Sequence, residues 1–254
     1  MLLAIDIGNT NVTLGAYREE RLVAHWRLAT VHERMSDEYG ILLTQLLAHR
    51  GLPVAEITGV AIASVVPSLT RVFREVSQIY LGQEPLVVDV GVKTGVRIRY
   101  EPPREVGADR VVNCAAVQQK YGGPACVVDF GTATTFDAIS QEGDYLGGAI
   151  APGIGIAAEA LFARAAKLYR VEIAPPPRAI GTNTVMAIQS GIFFGYVGLV
   201  EGLVARFRQE LGEAMKVIAT GGLAERIAPE TSVIQYVDPW LTLDGLRIIY
   251  EMNR

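Results

Sequence analysis

The sequence predicts an α/β protein built from two like halves, each a mixed sheet with flanking helices, arranged around a central cleft. A short pattern written twice is the first reason: an apolar strand, Asp, an apolar residue, Gly, then Thr/Asn-rich residues and a second strand. The copies run from Leu2 to Thr13 and from Cys126 to Thr135, with Asp6 and Asp129 about half a chain apart. The second reason is order: in each half a strand meander precedes alternating helix and strand, as in an α/β layer with a mixed sheet. The third is length, since 254 residues suit two domains of about 125 each. They are taken as 1–115 and 116–254, with the closing helix 241–254 free to pack back on the first.

The first half opens with strands Leu2–Ile7, Asn11–Arg18 and Leu22–Leu28, turning at Arg18-Glu19-Glu20-Arg21. Ser36 is placed to cap a helix carrying Tyr39, Leu42, Leu43, Leu46 and Leu47 on one side, stopped by Gly51. Val60–Val65 reads as a buried strand. Ser68 then caps a helix with Leu69, Val72, Phe73, Val76 and Tyr80, and Pro85–Val90 returns as a strand. A polar stretch through Tyr100-Glu101-Pro102-Pro103 leads to Gly107-Ala108-Asp109-Arg110 and a helix reaching Tyr121, a natural hinge between the halves.

The second half repeats the meander as Ala125–Asp129, Thr134–Ser140 and Tyr145–Ala151. After Pro152-Gly153 a small-residue helix runs through Leu161 to Leu168, and Pro175-Pro176-Pro177 marks a rigid extended loop. A long helix follows from about Thr184 to Glu210. Gly191, Gly195, Gly198 and Gly202 lie along one of its faces, each costing about 1 kcal/mol of helix propensity relative to Ala. A close backbone approach by a neighbouring helix or a dimer partner would offset that cost. Lys216–Thr220 is the last strand, Gly221-Gly222 a turn, and Leu241–Met252 the closing helix.

Composition narrows the function. Half the residues are hydrophobic and 20% charged, with a net charge of −4, so a sizeable core is available and no nucleic-acid or membrane-surface footprint shows. No apolar stretch is read as reaching the ~18 residues of a membrane span, and no signal core opens the chain, so the expectation is a cytoplasmic protein. Cys114 and Cys126 are too few for a disulfide framework or cysteine metal site. His25, His32 and His49 form no ligand spacing.

The repeated turns suit a polyanion. An Asp ending a buried strand must find a cation or a donor, and the Gly after it lets backbone N–H groups approach a phosphate closely. A P-loop would need G-x-x-x-x-G-K-[ST], which does not occur. Facing one another, Asp6 and Asp129 would bracket a nucleotide polyphosphate and its Mg²⁺. Asn9, Thr10, Asn11 and Thr13 would donate from one side, and Thr132, Thr134 and Thr135 from the other. Gly221-Gly222 suits a flat group such as adenine, or is a plain strand-to-helix turn. Asp109 is the candidate base, accepting the proton of an attacking hydroxyl late in a loose transition state; the alternative is a carboxylate favoured by its helix dipole. Arg110 suits a two-pronged contact with a substrate carboxylate, or an ion pair.

Taken together these strings resemble the acetate and sugar kinase/heat-shock/actin superfamily, and within it the type III pantothenate kinase family. The resemblance is carried by Asp6-Ile7-Gly8-Asn9-Thr10-Asn11, Gly107-Ala108-Asp109-Arg110, Asp129-Phe130-Gly131-Thr132-Ala133-Thr134-Thr135, Gly147 to Gly153, Gly181-Thr182-Asn183-Thr184 and Thr220-Gly221-Gly222. It implies two ribonuclease-H-like (actin-like) domains and ATP-dependent phosphorylation of pantothenate to 4′-phosphopantothenate, the opening step of coenzyme A synthesis. By that resemblance Asp6, Ile7, Gly8, Asn9, Thr10, Asn11, Val12, Thr13 and Thr132 hold ATP, and Asp109 is the base. Tyr100, Gly107, Ala108, Asp109, Arg110 and Thr184 contact pantothenate. Asp129 binds a monovalent cation, K⁺ or NH₄⁺, rather than sharing Mg²⁺, and Asp6 reaches Mg²⁺ through the phosphates. The resemblance also implies a homodimer, with the substrate pocket near the subunit interface.

Two rivals share parts of this pattern. A sugar kinase or exopolyphosphatase-like hydrolase would carry the Asp6 and Asp129 turns, but is not expected to carry Gly107-Ala108-Asp109-Arg110 ahead of the second copy. A non-catalytic nucleotide-binding regulator would not need a proton acceptor at Asp109.

Overall fold

A strand that is apolar on both faces belongs in the middle of a sheet covered on both sides, and each repeated string begins with one. In the computed structural model, which describes residues 1–254, the chain divides into unit 1, Met1–Lys120 with Trp240–Arg254, and unit 2, Tyr121–Pro239.

In unit 1, β1 (Leu2–Ile7), β2 (Asn11–Arg18) and β3 (Arg21–Ala29) form an antiparallel meander. Helix α1 (Ser36–His49), β4 (Gly59–Ser64), α2 (Pro67–Leu81), the two-residue β5 (Leu86–Val87) and α3 (Ala108–Lys120) follow. The sheet order is β3-β2-β1-β4-β5, with β4 parallel to β1. Strand alternation divides the core. Leu3, Ile5 and Ile7 pack under Tyr39, Leu43 and Leu47 of α1 and Leu69, Phe73 and Val76 of α2. Ala4 faces the other way, towards Val112 and Ala115 of α3. Two residues on, Asp6 shares the face of Ala4.

Both expected caps shift by one position or more. Met35 occupies the N-cap of α1, its N–H donating to Glu38 at 2.9 Å, and Ser36 is already helical. Val66 is the N-cap of α2, with Pro67 in the first turn, where its missing N–H costs nothing.

Unit 2 repeats the plan. Strands β6 (Ala125–Phe130), β7 (Ala133–Ile139) and β8 (Tyr145–Pro152) form the meander, followed by α4 (Ile154–Arg164), α5 (Thr184–Leu211), β9 (Lys216–Gly221), the short α6 (Ala224–Ile227) and β10 (Tyr236–Val237). The order β10-β9-β6-β7-β8 is that of unit 1 read from the other edge, with β9 parallel to β6. Cys126, Val128 and Phe130 pack on Phe193, Val197, Val200 and Val204 of α5. Helix α4 ends at Arg164, short of the expected Leu168.

Helix α5 corrects two expectations. It is 28 residues long and contains an 18-residue window with a mean hydropathy of 1.4, long and apolar enough by length and composition to cross a membrane, although one of its faces packs on the sheet of unit 2. Nothing in this chain lies within 4 Å of a Cβ at Gly191, Gly195 or Gly198, so no neighbouring helix uses the glycine face.

The last helix, α7 (Leu241–Met252), belongs to unit 1. It lies against α3 so closely that a Cβ on Gly245 would collide with the Val112 carbonyl, and Thr242 donates to the buried Asn113 of α3 at 2.8 Å. Asp244 accepts from Tyr17 at 2.7 Å and pairs with Lys120. Helix α3 is thereby fixed at its middle and at its end.

Candidate active site

Each aspartate-tipped turn is built the same way. In unit 1 the Gly8 N–H donates to the Asn11 carbonyl at 3.0 Å. The exit of β3 ties it down: the Thr30 N–H donates to Thr10 O at 2.9 Å and the Thr30 hydroxyl to Gly8 O at 2.6 Å. Asn9, Thr10 and Asn11 are exposed, and Asp6 is half-buried opposite Thr13 in register. Ile7 and Val12 are fully buried, so only their backbone groups are available to a ligand.

In unit 2 the Gly131 N–H donates to Ala133 O at 3.1 Å, and the Gly153 N–H, at the exit of β8, donates to Thr132 O at 3.1 Å. Thr132 is exposed and Asp129 half-buried. Two expected phosphate donors have other duties. Thr134 is 1% exposed, and the Thr135 hydroxyl donates to Asp137 at 3.3 Å, a buried carboxylate that also accepts from Tyr145 at 3.1 Å. A hydroxyl committed to a buried carboxylate is not offered to a ligand. Gly221 has φ +88°, and a Cβ there would lie 2.5 Å from Asp129 Oδ1 and 2.7 Å from the Phe130 backbone, so glycine is required.

Asp109 stands in the first turn of α3. Its Oδ1 accepts from the Arg110 N–H at 2.8 Å and lies 2.5 Å from the point where Gly107 would carry a Cβ. Any side chain at 107 would displace the carboxylate. Burial pushes its pKa above the ordinary value, against the downward pull of the Arg110 N–H and guanidinium. The face of the unit 1 sheet that α3 covers is the one that carries Asp6.

Beside Gly107 and Ala108 a cavity of about 980 Å³ is walled by Val65, Val96, Ile98, Val106 and Val111. Residues 91–98 form an extended strap whose Val92, Thr94, Val96 and Ile98 are half-buried while Lys93, Gly95 and Arg97 are exposed. That two-residue period is visible in the sequence and would have found the wall; the expected strand Pro85–Val90 drew attention away from it, and only Leu86–Val87 pair as β5. Asn253 holds the strap through Lys93, accepting from its N–H at 3.2 Å and donating to its carbonyl at 2.8 Å. Tyr100 is exposed on unit 1 and does not line this cavity. Thr184, on unit 2, is the exposed first residue of α5, capped by Asn183, whose side chain accepts from the Met186 N–H at 2.9 Å.

No group of three or more His, Cys, Asp and Glu side chains is arranged to hold a metal ion. The two cysteines are buried, and burial pushes the Cys126 thiol far above its usual range, which makes it inert.

Two sheets of one strand order, each with an aspartate next to the end of its central strand and a glycine turn beyond it, define the two-domain actin-like fold class. Solved structures share this fold over nearly the whole chain. A Campylobacter jejuni protein described as a Baf family transcriptional activator matches with a TM-score of 0.64 at 20% identity, covering 99% of this chain and 98% of its own. The inorganic polyphosphate/ATP-glucomannokinase of Arthrobacter sp. strain KM matches with 0.53 at 15% identity, covering 100% and 99%. At such identities the likeness is one of fold. Sequence goes further: the profile of the type III pantothenate kinase family matches residues 2–206. The type III pantothenate kinase of Moorella thermoacetica is 60% identical over 253 residues, 100% of both chains. The chain belongs to the type III pantothenate kinase family.

Proposed function

We propose that Asp109 is the general base of the reaction this family performs, ATP-dependent phosphorylation of pantothenate to 4′-phosphopantothenate at the entry to coenzyme A synthesis. One observation carries the assignment: the Asp109 carboxylate is held against a bare Gly107, with its pKa raised by burial, over the sheet face that carries Asp6. In a direct in-line transfer the acceptor hydroxyl attacks the γ-phosphorus as the bond to the bridging oxygen of ADP breaks, and its proton passes to Asp109.

The other roles follow residue by residue. Asp6 to Thr13 serve ATP on unit 1, through the turn backbone around Ile7, Gly8 and Val12 and through side chains at Asn9, Thr10, Asn11 and Thr13; Thr132 serves it on unit 2. Tyr100, Gly107, Ala108, Arg110 and Thr184 contact pantothenate, with Arg110 suited to its carboxylate.

Asp6 would hold Mg²⁺ through the phosphates, where the ion would neutralise their charge. Gly221, one residue past the register partner of Asp129, carries no side chain and so leaves backbone beside this carboxylate. One carboxylate among neutral oxygens suits a monovalent cation, K⁺ or NH₄⁺, better than a divalent ion that gathers several carboxylates. The open glycine face of α5 and the exposed Ile150 and Ile156 on unit 2 support a homodimer. A kinase of a coenzyme A precursor with a packed α5 fits the cytoplasm.

The test is a coupled assay offering pantothenate and glucose with ATP, with and without K⁺, on the wild type and on Asp109→Asn. Turnover of pantothenate should fall about 10²- to 10⁴-fold in the variant with ATP binding retained. Near-native turnover by Asp109→Asn would remove it as base, and phosphorylation of glucose alone would remove the acceptor.

A further inference from the structure

Val65, in the turn after β4, has no part in the chemistry described above, yet it touches both halves of the machinery on unit 1. Its N–H donates to the Ile7 carbonyl at 3.1 Å, immediately before Gly8. Its side chain reaches the other way: Cγ1 lies 3.5 Å from the point where Gly107 would carry a Cβ, the same point that lies 2.5 Å from Asp109 Oδ1. The residue thus runs from the phosphate turn to Gly107, the position beside which the Asp109 carboxylate rests.

The turn around Val65 is locked on both sides. Ser64 Oγ accepts from the Val66 N–H at 3.1 Å and from the Thr70 hydroxyl at 2.8 Å. Val66 is 4% exposed in the core under α1 and α2. A β-branched side chain on a fixed backbone has little χ1 freedom, so Val65 is a stiff spacer. It is half-buried and forms part of the cavity wall with Gly107 and Ala108.

We propose that Val65 is a positioning residue for the transfer: it fixes the distance between the Gly8 turn and the Asp109 carboxylate and keeps water from the space beside Gly107. The inference rests on Asp109 being the base. Its physical basis is the steep dependence of in-line transfer on placement, where a shift of about 1 Å costs about 10²-fold in rate. Water exclusion works in the same direction, since burial is the largest influence on the Asp109 pKa. The charged groups about this carboxylate are Arg110 on α3 and, lining the neighbouring cavity, Arg104, Glu105 and Asp89; the β4–α2 turn contributes only the hydroxyls of Ser64 and Thr70.

The experiment compares the wild type, Val65→Ala, Val65→Thr, Val65→Ile and Asp109→Asn. It reads kcat and KM for each substrate, the pH profile of kcat/KM for pantothenate, and the melting temperature. Val65→Ala should lower kcat about 10- to 100-fold with KM for ATP within about twofold, while Val65→Thr and Val65→Ile, which keep the branch, should retain most of the turnover. Val65→Thr should also move the acid limb to lower pH, because a hydroxyl beside the carboxylate favours its charged form. Val65→Thr matches valine in shape, so it carries the test should Val65→Ala fail to fold. A folded Ala variant with kcat within about twofold of the wild type, or a folded Thr variant with an unmoved acid limb, would overturn the proposal. If Asp109→Asn is inactive in that case, the base stands and only the role of Val65 falls; if Asp109→Asn is active, both fall.

Discussion

Beside the aspartate of its central strand, unit 1 places Ser64-Val65 where unit 2 places Gly221-Gly222. The registers make the two positions equivalent, Ile7 pairing with Ser64 and Phe130 with Gly221. Around them the frames agree: sheet order, aspartate position, a glycine N–H closing each turn, and a residue after the third strand that ties each turn down, Thr30 in one unit and Gly153 in the other. The first turn is one residue longer, since Asp6 pairs with Thr13 but Asp129 with Thr135. One unit thus fills the space beside its aspartate with the Ser64 and Val65 side chains, and the other leaves bare backbone. The contrast teaches that a duplicated scaffold acquires two jobs through two or three residues at a strand end, without a change of topology.

Exchanging those residues should break the contrast, and most severely in unit 2. Gly221→Ser forces a side chain onto a φ of +88° and against Asp129. We expect a loss of about 1–3 kcal/mol from the backbone conformation, together with at least a tenfold loss in kcat/KM for ATP, on the order of 1.4 kcal/mol in the transition state, read by thermal melts and initial rates. The reverse exchange is milder. Ser64→Gly removes the hydroxyl that organises Val66 and Thr70 and frees the chain, costing about 1–2 kcal/mol; a melt that does not move would show that the turn is held by Val66 burial alone.

Asp109 sharpens the comparison through pH. Burial raises its pKa above the ordinary 3.8, so the fold favours the protonated acid. The stability tied to that preference is complete below the ordinary carboxylate range and is lost as pH rises through the raised value. Activity has the opposite sign, because the base works only when ionised. Asp109→Asn, neutral throughout, should therefore melt above the wild type near pH 8 and close to it near pH 4, while remaining inactive at both. Equal melting temperatures at both pH values would mean that Asp109 carries no desolvation cost.

The smallest effect concerns the helices. Gly40 in α1 is covered by the ring of Tyr80, whereas Gly195 in α5 has nothing within 4 Å. For the chain by itself Gly195→Ala should stabilise by about 1 kcal/mol. If a second copy packs on that face, the same change should weaken dimerisation, which sedimentation at graded concentrations would detect.

Much of this was legible in the residues. The strands Leu2–Ile7 and Asn11–Arg18 appear with the bounds that their apolar runs and turn residues imply, and each aspartate is the last residue but one of its strand, β6 running one residue past the expected end at Asp129. What escaped was decided by tertiary context. Ser36 and Ser68 have the chemistry of caps, but Met35 and Val66 took those positions, where the Glu38 carboxylate and a first-turn proline serve the helix ends. Thr134 and Thr135 have hydroxyls suited to phosphate, yet strand parity buries one and gives the other to Asp137. The α5 glycines implied a close approach by a helix of the same chain or by a dimer partner, and no helix of the chain supplies it. Val65 was invisible because nothing local marks an aliphatic residue as special when its importance comes from Gly107, far along the chain.

Unit 1 is interrupted: Tyr121–Pro239 is inserted between α3 and the helix that packs against it. A chain leaving the ribosome therefore presents every residue of unit 2 before Gly245 arrives to seat α3. The nested order makes the second-written unit the first that can finish folding. The helix bearing Asp109 gains its final packing only once synthesis has passed α7.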